Sequence, residues 1–252
     1  ISASAFYGYH FVQWSDGNTE NPCSLVVMQD ENYTAQFDAN NYLLTANSTD
    51  VTLGNVTGGG TYEYNSLVAI TANAIEHYHF VQWNDSITDN PRTIVLTRDT
   101  TFTASFAIDK HSVATTSNNP TMGEAIGSGD FDYNSATYIS AEAFTGYHFV
   151  QWSDGATANP RRIIVTQDTI FTAEFEVNGY TATITSNDET MGTVTGSGFY
   201  DYRTTLELSA TAFYGYHFAR WNDGNVDNPR TLVITQDTAL TAIFEISSFT
   251  IT

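Results

Sequence analysis

The chain has 252 residues, 28 of them acidic and 8 basic, for a formal charge of −20. Such a balance lacks the basic footprint that nucleic acid requires and works against adhesion to anionic lipid. The lone cysteine, Cys23, excludes an intrachain disulfide.

Reading from the N-terminus, Trp14 stands in the phrase Gly8-Tyr9-His10-Phe11-Val12-Gln13-Trp14-Ser15-Asp16. The phrase returns around Trp83, Trp152 and Trp221, each 69 residues after the last. A period this long and regular marks an array of like units. Residues 1–37 match the second half of a unit, and complete copies run 38–106, 107–175 and 176–244. Residues 245–252 begin a further one. The chain reads as a window from a longer array, which explains why no signal peptide or anchor is seen. Only four residues separate Phe37 from Tyr42, Phe106 from His111 and Phe175 from Tyr180. Without a Gly/Ser or Pro run these junctions cannot be flexible tethers, so neighbouring copies are expected to abut in an elongated, semi-rigid rod. Neighbouring repeats are thus the first partners expected.

Thr, Val, Ile, Tyr and Phe dominate the runs within a copy, and no helical period stands out. In the last full copy six strands are expected, at 180–185, 193–197, 205–212, 217–222, 231–235 and 239–245. Leu206, Leu208, Ala210 and Ala212 alternate with Thr205, Glu207, Ser209 and Thr211, the period of a strand with one buried face. Gly196-Ser197-Gly198, Asp223-Gly224 and Gln236-Asp237-Thr238 supply turns. The expected fold class is all-β, an array of small sandwiches or partly open barrels. A 69-residue unit holds a marginal core, so its aromatic mass matters. The expected repeat core is Trp14, Trp83, Trp152 and Trp221, with Phe11, Phe80, Phe149 and Phe218 and, at the last strand, Phe37, Phe106, Phe175 and Phe244. Phe218 and Trp221 lie three apart, which a regular strand would place on opposite faces. A bulge, or a ring covering a sheet edge or a neighbour, accounts for this equally well.

Candidate chemistry recurs with the copies. His10, His79, His148 and His217 occur once per unit, too far apart in separate small domains to share an ion, and are expected to pack beside Tyr and Trp. The loops 16–21, 85–90, 154–159 and 223–228 are rich in Asp and Asn. Calcium takes such oxygens, but Ala156 and Ala158 remove donors in one copy, so turn capping is the expected use. Tyr7, Tyr62, Tyr64, Tyr133, Tyr200, Tyr202 and Tyr214 lie near turns, either as sugar-stacking platforms or as rings closing cores and joints. Cys23 stands where other copies carry Arg92, Arg161 and Arg230, and reads as a substitution without chemistry of its own. The Asn-x-Ser/Thr steps at Asn32, Asn47, Asn55 and Asn84 read as chance. No nucleophile, paired carboxylates or phosphate loop occurs in a unique setting. No catalytic, cofactor-binding or metal residue is therefore assigned, no cofactor is expected, and the chain is not expected to be an enzyme.

The run 215–224, then Asn228-Pro229-Arg230, then 236–244 resembles the divergent InlB B-repeat domain, the Listeria–Bacteroides repeat of bacteria. The resemblance covers essentially the whole chain, with departures at His77, Ser86, Cys23 and Arg220. It implies a β-grasp-like fold with a helix, though no helix is read here. It also implies a secreted or surface-anchored bacterial protein whose tandem copies serve as stalks or adhesion modules, without catalytic residues. The expected function is a non-enzymatic stalk, spacer or extracellular fibre element at the cell surface. The alternative is a multivalent adhesin for glycans or host matrix proteins. A third reading is self-association through a strand at 249–252.

Overall fold

The computed structural model describes residues 1–248 and divides into two compact units, Ile1–Lys110 and a second beginning at His111. No described residue is helical, so the helix of a β-grasp is not among them. The strand expected at 249–252 lies outside the described residues.

The first unit opens with β1 (Tyr9–Trp14) and β2 (Ala35–Ala39), an antiparallel pair. The next copy has seven strands: β3 (Asn41–Ser48), β4 (Gly54–Thr57), β5 (Gly60–Glu63), β6 (Ser66–Ala74), β7 (Tyr78–Trp83), β8 (Arg92–Leu96) and β9 (Thr100–Ile108). They form a four-stranded sheet, β5-β3-β9-β7, and a three-stranded sheet, β4-β6-β8. The first and last strands of the copy, β3 and β9, run parallel with Leu44 opposite Thr100. A parallel pair needs a long crossover, and the five intervening strands supply it. The remaining pairs are antiparallel.

Alternation places one face of each sheet in a shared core. On β6, Val68, Ile70 and Ala72 point in, while Leu67, Ala69 and Asn73 point out. Leu44, Trp83, Leu96, Ala104 and Phe106 close the core from the other strands. The copy is a two-layer sandwich.

The second unit repeats this plan twice, with four-stranded and three-stranded sheets over residues 110–177 and again over 179–246. Their cores centre on Trp152 with Phe175, and on Trp221 with Phe244. Each copy has one strand more than expected. In the last copy it is Gly198–Asp201, paired with the strand Gly179–Ser186.

The spacing of Phe and Trp is answered by a bulge. Phe80 pairs with Phe106 and Gln82 with Ser105, leaving Val81 as the extra residue. The same shift follows Phe11, Phe149 and Phe218. One added residue returns Trp83 to the face that Phe80 occupies. The rings of Phe80 and Trp83 lie 5.3 Å apart, and those of Phe80 and Phe106 6.2 Å apart.

Candidate functional site

Two constructions recur: a loop folded around the tryptophan in each copy and, once within each unit, a joint that fastens one copy to the next.

Trp83, Trp152 and Trp221 are fully buried, and Trp14 nearly so. The indole Nε1 of Trp83 donates to the Asp89 carbonyl at 2.9 Å, fixing the loop over the ring. Trp14, Trp152 and Trp221 donate to the Glu20, Ala158 and Asp227 carbonyls in the same way. The Asn90 amide bonds the main chain of Ala72 twice, accepting from its N–H at 2.9 Å and donating to its carbonyl at 2.7 Å. Asn21, Asn159 and Asn228 repeat this with Ala3, Ala141 and Ala210. The sequence suggested that such residues cap their own turns, but these asparagines reach main chain 18 residues earlier, a strand in the three complete copies. Each precedes a cis proline.

Asp85 pairs with Arg92 and Asp154 with Arg161, each at 2.7 Å. Arg230 approaches Asp223 at 2.7 Å as an ion pair outside hydrogen-bond geometry for its Nη1. The Arg161 hydrogen bond is the main cause holding the Asp154 carboxyl below its ordinary range. At Asp85 and Asp223 burial pushes the other way, and the arginine together with the loop N–H groups outweighs it. The guanidinium of Arg92 also lies over Phe102, 4.5 Å from its centroid. In the first copy Cys23 takes the arginine's place and is buried, with Asn18 Nδ2 3.0 Å from its Sγ. The oxygen-rich loops thus spend these groups on their own architecture.

Phe106, Phe175 and Phe244 are buried, and Phe11, Phe80, Phe149 and Phe218 half-buried. Phe37 is 39% exposed, on the one final strand here that pairs on a single side.

The histidines belong to the joints. Each precedes its phenylalanine on a strand and so points away from the core, exposed rather than packed beside tryptophan. His10 Nδ1 lies 3.0 Å from Asn40 Oδ1, His79 Nδ1 2.8 Å from Asp109, and His148 Nδ1 2.8 Å from Asn178 Oδ1. These partners are the single residues linking one copy's last strand to the next copy's first. Their main chain works too. The Asn40 N–H donates to the Gly8 carbonyl at 2.8 Å, and the Asn40 carbonyl accepts from Tyr64 N–H at 2.7 Å. Asn178 bridges Gly146 and Tyr202 identically, at 2.8 Å on each side.

Tyr64 and Tyr202 complete these joints. Each ring lies against the glycine of the preceding copy, so that an added Cβ would fall 2.4 Å from Tyr64 at Gly8 and 2.0 Å from Tyr202 at Gly146. Tyr7 stands edge-on to Tyr64 and donates to the Thr97 carbonyl, and Tyr147 and Tyr180 flank Tyr202. His77 replaces the glycine in the second copy yet keeps a left-handed φ of 70°, as Ser86 does at 67° in place of the loop glycine. The common 56-residue spacing of Gly8 to Tyr64 and Gly146 to Tyr202 was the signal available in the sequence for this contact. Of the other tyrosines, Tyr62 and Tyr200 are half-buried and donate to the Gly58 and Gly196 carbonyls. Tyr133 stands edge-on to His111, and Tyr214 is fully exposed.

Seven-stranded sandwiches repeated in tandem define an all-β repeat protein. The chain belongs to the divergent InlB B-repeat domain family, which it matches over residues 1–41, 42–110, 113–179 and 182–248. Repeats of this family occur in bacterial surface and extracellular proteins and are typically non-catalytic. A comparison with curated proteins returns no match. Among solved structures, the Bacillus anthracis TIE protein is similar at a TM-score of 0.41 and 9% identity, over 84% of this chain and 53% of that one. The chain therefore spans about half that protein's length, and a likeness this loose carries no argument.

Proposed function

We propose that this array is a non-enzymatic stalk, spacer or fibre element of a secreted or surface-attached bacterial protein. Its working units are the copies 38–106, 107–175 and 176–244, with the tryptophan and phenylalanine set as their core. The observation that carries the reading is the joint: one linking residue, Asn40 or Asn178, hydrogen-bonded on one side to the preceding copy and on the other to the next. Such a link leaves no free tether, so reach grows with copy number. Small-angle scattering on arrays of increasing copy number tests it. The largest dimension is expected to rise by a constant increment per copy, and compaction into a globule would overturn the reading.

One observation favours a second reading, a multivalent adhesin. Phe6, Ile75, Phe144 and Phe213 fall at the same turn in every copy and are all exposed, at 45–46% in the three complete copies. A repeated apolar point of this kind suits weak, additive binding to glycans or matrix proteins. Binding to an immobilised panel that strengthens steeply with copy number supports it, and equal weak binding by short and long arrays removes it.

A further inference from the structure

We propose that Asn178 is a site of spontaneous covalent modification. Its side-chain amide cyclises onto Gly179 and opens to aspartate or isoaspartate, which gives this joint the acidic linking residue that the second copy already carries at Asp109.

Asn178-Gly179 is the only Asn-Gly step in the 252 residues. In this chemistry the Gly179 nitrogen bonds to Asn178 Cγ and the Cγ–Nδ2 bond breaks. The departing nitrogen takes up the Gly179 proton and leaves as ammonia. Water then opens the five-membered imide. Addition at Cγ gives aspartate, and addition at the main-chain carbon gives isoaspartate, with no oxidant or reductant involved. Glycine promotes the attack because it places no side chain beside the nucleophile and restricts the main chain least.

The step is tied to the packing of this copy. A Cβ on Gly179 would fall 2.0 Å from the Phe199 ring. The equivalent positions hold Asn41 with Thr61 and Lys110 with Asp130, so the small residue and the large ring are one exchange. Gly179 cannot enlarge unless Phe199 yields.

Two features of Asn178 favour reaction, against one bond, from Nδ2 to the Tyr147 carbonyl at 3.4 Å, that must break as ammonia leaves. It is half-buried, within reach of water, and is the sole residue between the strands Thr169–Val177 and Gly179–Ser186. Its Oδ1 can only accept, so the imidazole of His148, 2.8 Å away, donates through Nδ1. Donation to that oxygen stabilises the negative charge that builds on it as Cγ is attacked.

The aspartate product has a precedent in the same chain. Asp109 occupies the equivalent position, and its carboxylate sits at the same 2.8 Å from His79. Isoaspartate differs: it lengthens the main chain by one carbon between the bonds to Gly146 and Tyr202. The proposal is independent of the stalk reading, since its readout is chemical.

The test is to hold the whole chain in warm, mildly alkaline buffer and to quantify conversion of amide to acid, with isoaspartate, by peptide mass spectrometry. Asn40 is the internal control, because it makes the same histidine and main-chain contacts but is followed by Asn41. Asn178 is expected to convert several-fold faster than Asn40, and Gly179→Ser combined with Phe199→Thr is expected to remove the difference. Equal rates at Asn178 and Asn40 would overturn the site. The Asn178→Asp variant is expected to unfold at the temperature of the unmodified chain, and earlier unfolding would overturn the accommodation of the product.

Discussion

The backbone of Gly146 lies so close to the ring of Tyr202 that a Cβ at Gly146 would fall 2.0 Å from it, although the two residues belong to successive copies. Tyr147 and Tyr180 stand edge-on to the same ring, with centroids 6.2 and 6.4 Å away, so it has little room to retreat. Gly146 also has φ +89°, a region that costs an L-residue about 1–2 kcal/mol. Gly146→Ala is therefore expected to destabilise by about 2–4 kcal/mol, strain and displaced packing together. Gly215 has the same φ and, among the described residues, no heavy atom within 4 Å of its Cβ position, so Gly215→Ala is expected to show the strain alone, about 1–2 kcal/mol. Denaturant unfolding of the two variants makes the comparison. Equal losses would mean that the tyrosine contributes nothing to the joint.

Trp83 is the largest side chain in its core and is wholly buried. Removing it opens a cavity and strips the Asp89 carbonyl of its indole donor. Trp83→Ala is expected to cost about 3–5 kcal/mol, enough to unfold a small sandwich of marginal stability. Trp83→Phe keeps part of the volume and is expected to lose less. Hydrogen exchange resolved by copy checks this, with protection lost across β3–β9. Loss confined to the loop 84–91 would show that the tryptophan serves the loop rather than the core.

The repeat and the sandwich were legible because they are written locally. A strand buries every second residue, so Leu206, Leu208 and Ala210 declare their face without knowledge of any partner. The strand Gly198–Asp201 was not legible: four residues beginning at the end of a Gly-Ser-Gly turn are too few to show a period, and pairing with residues 179–182 creates the strand. The bulge after Phe218 was legible only as one of several answers, since the spacing of three fits each of them. The joint was least legible. Gly146 stood only as the first residue of a repeated phrase and Tyr202 as a ring near a turn, and the fold brings them together. The histidines misled for a related reason: His79 neighbours aromatic residues in sequence, but it points to the opposite side of the strand from Phe80.

Asp154 and Arg161 give an acid dependence with a definite sign. The guanidinium lowers the Asp154 carboxyl from its ordinary 3.8, so the unfolded chain binds this proton more readily than the folded one. The stabilisation is complete above the unfolded value and is lost as pH falls through the folded one. Because the Asp154 side chain is 43% exposed, screening limits the effect to about 1 kcal/mol or less. The Arg161 guanidinium lies over the Phe171 ring, 5.1 Å from its centroid, and Arg161→Met keeps an apolar stem there while removing the charge. The stability gap between the two proteins is expected to be constant near neutrality and to close as pH falls below the ordinary carboxylate range. A gap unchanged in acid would assign the arginine's effect to its packing alone.

Asn90 offers the sharpest test of how the tryptophan loop is held. Its amide satisfies both the N–H and the carbonyl of Ala72, a buried residue on the central strand of the three-stranded sheet. The strand's own partners cannot replace these bonds, because the pairing of β6 with β8 ends at Ile70 opposite Arg92. Asn90→Asp keeps the accepting oxygen but loses the donor, and it sets a carboxylate oxygen against the Ala72 carbonyl. Asn90→Ala loses both bonds and leaves two main-chain groups unpaired. Each unpaired buried group costs about 1–3 kcal/mol, so Asn90→Ala is expected to destabilise by about 2–6 kcal/mol. Asn90→Asp is expected to be comparable at neutral pH and to recover in acid, where the protonated carboxyl can donate again. Unfolding of both variants across pH measures this. An Asp variant that fails to recover in acid would show that the loop is held by the indole bond of Trp83 and the Arg92 pair without help from Asn90.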